Sequence, residues 1–238
     1  MPNTYFRFKQ FSVNQEYCAM KVTTDACLFG AVVADAFGNT ATDRALDIGT
    51  GTGLLSLMLA QQLVADIDAV EIEEAAARQA QQNFDDSPWA DRLRVIHTDI
   101  TRFDPGPTYP LIFSNPPFFE NDLRSGEATI NAARHDTGLK LDVLYNRVKQ
   151  LLSAGGHWVV LLPERRIDDA LREAAARELH LYKRIDVRQT PAHACFRGIL
   201  FFSPVKKEYT EEEIVIRDEN NAYSPEFTRL LKDYYLYL

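Results

Sequence analysis

The stretch Asp47-Ile48-Gly49-Thr50-Gly51-Thr52-Gly53 decides how the rest of the chain is read. Just upstream, Arg44 to Ile48 is a short apolar run of the kind found in strands buried on both faces. Just downstream, Leu54 to Leu63 reads as a helix. Glycines at alternate positions between them mark a tight turn from the carboxyl end of a strand into a helix. Such main chain tolerates positive φ and lets a ligand come close. In open α/β sheets, ligands bind at these strand ends.

The alternation continues outward. Asp68 to Glu71, Leu93 to His97, Leu111 to Ser114 and His157 to Leu162 read as strands, and Glu74 to Phe84 as a helix. Leu141 to Leu152 has apolar residues at helical spacing, with Gly155 and Gly156 placed to end it. The pattern predicts an α/β fold with a Rossmann-like, mostly parallel sheet and helices on both faces. After Leu162 come a charged helix, Ile167 to Leu179, and strands near Leu181 to Val187 and Arg197 to Phe202 that suit a terminal hairpin. Ser224 followed by Pro225 starts a last helix, running to about Tyr235. No repeat or linker divides the chain, so residues 1–238 are expected to form one domain. Its core is 43–238. The aromatic segment Met1 to Thr42, with Tyr5, Phe6, Phe8 and Phe11, is expected to pack over the carboxyl edge of the sheet and so over the ligand site.

At 46% hydrophobic and 25% charged residues the composition is that of a globular protein, which excludes disordered and collagen-like chains. No apolar run approaches the roughly 20 residues that cross a bilayer, and no signal pattern opens the sequence. A soluble, cytoplasmic protein, a monomer without membrane contact, is expected. Cys18, Cys27 and Cys195 form no CxxC, and the five histidines show no ligand spacing, so no metal is expected. A net charge of −8 means that any contact with nucleic acid must be local.

A dinucleotide site would carry G-x-G-x-x-G, but here the third glycine comes one residue early and Leu54 stands in its place. Glu71 ends the second strand, where a carboxylate accepts both ribose hydroxyls of a nucleoside; this suits an adenosyl ligand and NAD equally. Asp99 ends the third strand and can accept from an adenine amino group while Ile100 covers the ring. The fourth strand ends in Asn115-Pro116-Pro117-Phe118. Two prolines fix φ and offer no donors, giving a stiff turn. The Asn115 side-chain oxygen and the Pro116 carbonyl could accept both hydrogens of a planar NH₂ while Phe118 stacks on the attached ring. Such a clamp works by positioning and electrostatics and needs no strong base.

The glycine stretch resembles D-x-G-x-G-x-G, the first motif of class I S-adenosylmethionine-dependent methyltransferases. The NPPF tetrapeptide is similar to the (N/D)PP(Y/F) signature of enzymes that methylate amino nitrogens of adenine, cytosine or glutamine. With Phe8-Lys9-Gln10-Phe11, the run Cys18 to Asp25, the run Ser87 to Arg92, and Ala133-Arg134, the chain resembles the bacterial tRNA (adenine-N6)-methyltransferases that act beside the anticodon of a valine tRNA. The resemblance implies a seven-stranded sheet with the last strand antiparallel, S-adenosylmethionine as cofactor and tRNA as partner. It carries cofactor contacts onto Lys21, Thr24, Asp25, Asp47, Gly49, Gly51, Glu71 and Asp99, with Gly53, Ile100 and Asn115 in the same site. The amino-group clamp falls on Asn115, Pro116, Pro117 and Phe118. Phe118 and Phe119 stand where tyrosines are commoner, keeping stacking but losing a hydroxyl. The alternative is a protein glutamine N5-methyltransferase using the same clamp.

Charge is uneven along the chain. Positive residues gather between Pro163 and Lys207, among them Arg165, Arg166, Lys183, Arg184, Arg188 and Arg197. Arg165 and Arg166, with Arg134, are expected to frame the pocket mouth and meet tRNA phosphates. An anticodon-loop adenine is already single-stranded, so extruding it costs only a few kcal/mol.

Overall fold

The computed structural model describes residues 4–18, 20–116 and 139–238. Pro117, Phe118 and Arg134 of the expected site lie outside them. Strands β1 (Tyr5–Arg7) and β2 (Ser12–Asn14) pair as an antiparallel hairpin, and helix α1 (Thr24–Phe37) leads into the sheet. The sheet contains β3 (Arg44–Ile48), β4 (Asp66–Glu71), β5 (Leu93–His97), β6 (Tyr109–Ser114), β7 (Leu152–Pro163), β8 (His180–Arg188), β9 (Cys195–Ser203) and β10 (Thr210–Val215). Helices α2 (Leu54–Ala60), α3 (Glu74–Asp85), α4 (Leu141–Leu151), α5 (Ile167–Ala175) and α6 (Pro225–Leu231) connect or flank these strands. Across the sheet the order is β10-β8-β9-β7-β6-β3-β4-β5. Only β9 runs against its neighbours, antiparallel to both β7 and β8.

Strand residues alternate between two apolar layers, as the period of two requires. Phe113, Val159 and Phe201 face α1, α2 and α6, while Ile112, Trp158 and Phe202 face α4 and α5. Helix α1 is buried nearly all round, wedged between the sheet and its neighbouring helices. Thr23 caps its start by accepting from Ala26 N–H, and Ser224 caps α6 by accepting from Phe227 N–H at 3.1 Å. Among the described residues no helix is long and apolar enough to cross a membrane.

The helices expected over Ile167 to Leu179 and to about Tyr235 end at Ala175 and Leu231, and two larger departures from the sequence expectation stand beside these. The seven expected strands are present, and β10 adds an eighth at the edge, parallel to β8. Glycines 155 and 156 do not close α4: the chain passes straight from Leu151 into β7 at Leu152, and both lie within the strand. A Cβ on Gly156 would stand 2.8 Å from Leu152 Cδ1 and 3.1 Å from the Pro110 carbonyl, so close packing explains this glycine.

Candidate active site

The turn after β3 has Gly49, Gly51 and Gly53 at φ values of 75°, 56° and 81°, all in the left-handed region. Val70 carbonyl accepts from the N–H groups of Gly49 and Thr50, tying the turn to β4. A Cβ on Gly49 or Gly51 would meet nothing within 4 Å, so their Hα faces open a cradle. Gly53 differs: a Cβ there would lie 2.6 Å from Phe84 Cε1, so its bareness serves the packing of α3 against the turn.

Asp47 is fully buried beneath this turn. Its Oδ2 accepts from the hydroxyls of Thr50 at 2.7 Å and Ser56 at 2.8 Å, whereas Oδ1 has no partner. Burial pushes its carboxyl up to about 6, partly opposed by the two hydroxyls. At the end of β4, Glu71 Oε2 accepts from Gly51 N–H at 2.8 Å and Oε1 from Ile72 and Glu73 N–H, each at 2.9 Å. Asp99 accepts from Thr101 N–H at 2.8 Å, and Ile100 is buried in one apolar layer with Ile48 and Val70.

The amino-terminal segment reaches this edge. Burial raises the Cys18 thiol to about 11, with Glu71 raising and Lys21 lowering it, so all three share one neighbourhood. Lys21 donates to the Gln15 carbonyl. Asn83 of α3 joins hairpin and turn: its Oδ1 accepts from Asn14 N–H, and its Nδ2 donates to the carbonyls of Asn14 and Thr52. Thr24 is exposed at the first position of α1. Asp25 is held in an ion pair with Arg197 of β9, 2.9 Å apart.

Strand β6 brings in the clamp. Phe113 lies opposite Asp47 in the parallel ladder, so Asn115 and Pro116 leave the sheet beside the glycine turn. The buried Ser114 hydroxyl donates to Ile48 carbonyl at 2.7 Å, fastening the two strand ends together. Asn115 is half-buried and Pro116 buried. Arg165 and Arg166 occupy a 3₁₀ turn, Glu164–Arg166, at the carboxyl end of β7 on the same edge, with Arg166 3.4 Å from Asp169. Much of the remaining basic run is spent internally: Lys183 pairs with Glu212, Arg184 with Asp186 and Arg188 with Glu213. A cleft of about 400 Å³ beside Leu171, Leu179 and Phe202 contains none of the site residues.

Sequence reasoning missed Thr50, Ser56, Asn83 and Ser114. Ser56 carried a signal, being the one polar residue within Leu54-Leu55-Ser56-Leu57-Met58-Leu59. The crevice offers the carboxylates of Glu71 and Asp99 around a bare glycine cradle, with Asp47 buried beneath it. This set suits a ligand rich in donors, with ammonium, ribose hydroxyls and an adenine amine, and repels a pyrophosphate. S-adenosylmethionine fits it.

Residues 29–176 match the methyltransferase small domain family. The tRNA1(Val) (adenine(37)-N6)-methyltransferase of Tolumonas auensis is 38% identical over 233 residues, covering 97% of this chain and 96% of its own. The protein of the same name from Bacteroides thetaiotaomicron is 37% identical over the whole of both chains. Among solved structures, a predicted O-methyltransferase from Agrobacterium tumefaciens superposes with a TM-score of 0.68 at 16% identity, covering 88% of this chain and 96% of its own. The glycopeptide N-methyltransferase MtfA bound to sinefungin gives 0.53 at 13% identity, covering 73% and 85%. Those two likenesses speak to the fold, which is that of the class I methyltransferases. Identity with the first two relatives along nearly the full length shows that the chain belongs to the tRNA1(Val) (adenine(37)-N6)-methyltransferase family, whose cofactor is S-adenosylmethionine.

Proposed function

We propose that this chain methylates N6 of adenine 37 in tRNA1(Val). The observation that carries the reading is the fastening of Ser114 to Ile48, which sets Asn115 and Pro116 beside the Gly49 to Gly51 cradle. When bound, S-adenosylmethionine supplies an electrophilic methyl carbon on a sulfonium. Asp47, Gly49 and Gly51 hold the amino-acid end, with Lys21, Thr24 and Asp25 alongside. Glu71 would hold the ribose hydroxyls, and Asp99 with Ile100 the cofactor's adenine. The Asn115 side-chain oxygen and the Pro116 carbonyl accept the two amine hydrogens of the target base. In this reading Pro117 and Phe118, outside the described residues, complete the clamp, with Phe118 as the stacking partner of that base. Held this way, the amine would present its nitrogen lone pair toward the cofactor's side of the crevice, and its surplus proton would leave to solvent.

Arg134, Arg165 and Arg166 meet tRNA phosphates in this reading. It takes the chain as a single cytoplasmic methyltransferase domain acting as a monomer, its first 42 residues packed over the cofactor. Nucleoside analysis of tRNA incubated with the protein and labelled cofactor should find N6-methyladenosine at position 37. Asn115→Ala should abolish transfer with cofactor binding nearly intact. Label appearing in protein glutamine instead would reject the reading.

A further inference from the structure

We infer that Arg147 is a positioning residue for recognition of the cofactor's adenine, acting through the Asp99–Ile100 turn. The inference rests on the reading of Asp99 given above. Arg147 projects from α4, an element locked to the sheet by Leu144 and Val148 and by Tyr145, whose ring meets Trp158 edge-on at 4.2 Å. Its Nε–H donates to the Ile100 carbonyl at 2.9 Å, and its Nη atoms donate to the Phe103 carbonyl and to Gln150 Oε1.

Those two carbonyls belong to the turn that carries Asp99. Within it, Arg102 N–H donates to the Asp99 carbonyl at 2.9 Å and Phe103 N–H to the Ile100 carbonyl at 3.3 Å. Thr101 N–H occupies Asp99 Oδ1, which leaves Oδ2 for an outside donor. A planar guanidinium fork holds two carbonyls at fixed separation, and a lysine ammonium cannot copy that geometry. Arg147 therefore sets where the Asp99 carboxylate stands while touching no reactant.

Calorimetric titration with S-adenosylhomocysteine and with S-inosylhomocysteine, whose purine carries an oxo group in place of the amine, tests this. The wild type should prefer the adenine form. Arg147→Met should bind S-adenosylhomocysteine about tenfold more weakly, the loss of one hydrogen bond to a charged group. Its affinity for S-inosylhomocysteine and its kcat at saturating cofactor should be unchanged, and Arg147→Lys should recover only part of the loss. Equal weakening of both ligands, or of neither, overturns the inference. A wild type indifferent to the two ligands overturns the reading of Asp99 and the inference with it.

Discussion

Ser114 donates its hydroxyl to the Ile48 main-chain carbonyl at 2.7 Å, inside the core. The bond joins the end of β6, which leads into Asn115, to the end of β3, which leads into Gly49, so under the proposed function it sets the spacing between the two halves of the reaction. Ser114→Ala should cost about 1–2 kcal/mol of stability. It should also lower kcat about tenfold with little change in the KM for cofactor, since an ångström of misplacement is expensive in positioning catalysis. Melting curves and single-turnover rates separate the effects; lost stability with unchanged turnover would reduce the bond to a structural one.

Glycines of the same turn should fail differently. Gly49→Ala and Gly51→Ala meet no neighbour, so each should lose only the about 1–2 kcal/mol of a left-handed residue while the new methyl obstructs cofactor. Gly53→Ala must also displace Phe84, adding about 1–3 kcal/mol of overpacking. Denaturant titrations set beside cofactor affinity should therefore rank Gly53→Ala as the least stable and Gly51→Ala among the poorest binders.

Asp47 and His157 bend the pH dependence of stability in opposite directions. Burial raises Asp47 from 3.8 to about 6, so its native state holds a proton that the unfolded chain releases. That stabilisation is full below pH 4 and is lost as pH climbs through 6. His157 is lowered from 6.5 to about 4, first by burial and then by the Lys207 charge, so its contribution is present above pH 6.5 and lost as pH falls through 4. Relative to the wild type, Asp47→Asn should gain stability as pH rises from 4 to 7, by about 3 kcal/mol at most, and His157→Asn should lose it. Melting temperatures across that range decide; difference curves that stay flat would contradict both assignments.

Positive charge on β8 should matter less to RNA than its sequence suggests. Lys183 and Arg188 each lie 2.8 Å from a glutamate of β10. Removing both should leave the salt dependence of tRNA binding unchanged. Arg165→Ala with Arg166→Ala should weaken binding and flatten the slope by about 0.7 for each phosphate that is no longer neutralised, the value for single strands. Filter binding from low to high salt distinguishes the pairs.

How legible was this in the sequence? Arg44–Ile48 is legible to the residue because a buried parallel strand is dense in apolar side chains, and Leu93–His97, an edge strand, is legible from Leu93, Val95 and Ile96 although only Leu93 is buried. Asp47, Glu71 and Asp99 draw notice in the sequence because each stands at or near the point where a strand stops. β10 was missed: Thr-Glu-Glu-Glu reads as a solvated loop until the cations of β8 are known to lie across from it. Gly155 and Gly156 mislead because a glycine pair after a helix resembles a cap, while the close approach of the Pro110 carbonyl to Gly156 is tertiary. Asn83, Ser114 and Arg147 bond to main chain 31 to 69, 66 and 44 to 47 residues away, and nothing local announces such partners.

Lys9 N–H donates to the Tyr234 carbonyl at 2.8 Å, its ammonium reaches Lys232, and Gln61 donates to the Asp233 carbonyl. The earliest hairpin is thus fastened by residues translated more than two hundred codons later. During synthesis, the faces of Phe6 and Phe8 that meet the Tyr235 ring stay uncovered until that residue is made. A message stopped before Tyr234 yields a hairpin that still pairs with itself and with Asn83 but lacks the carbonyl that receives Lys9 N–H.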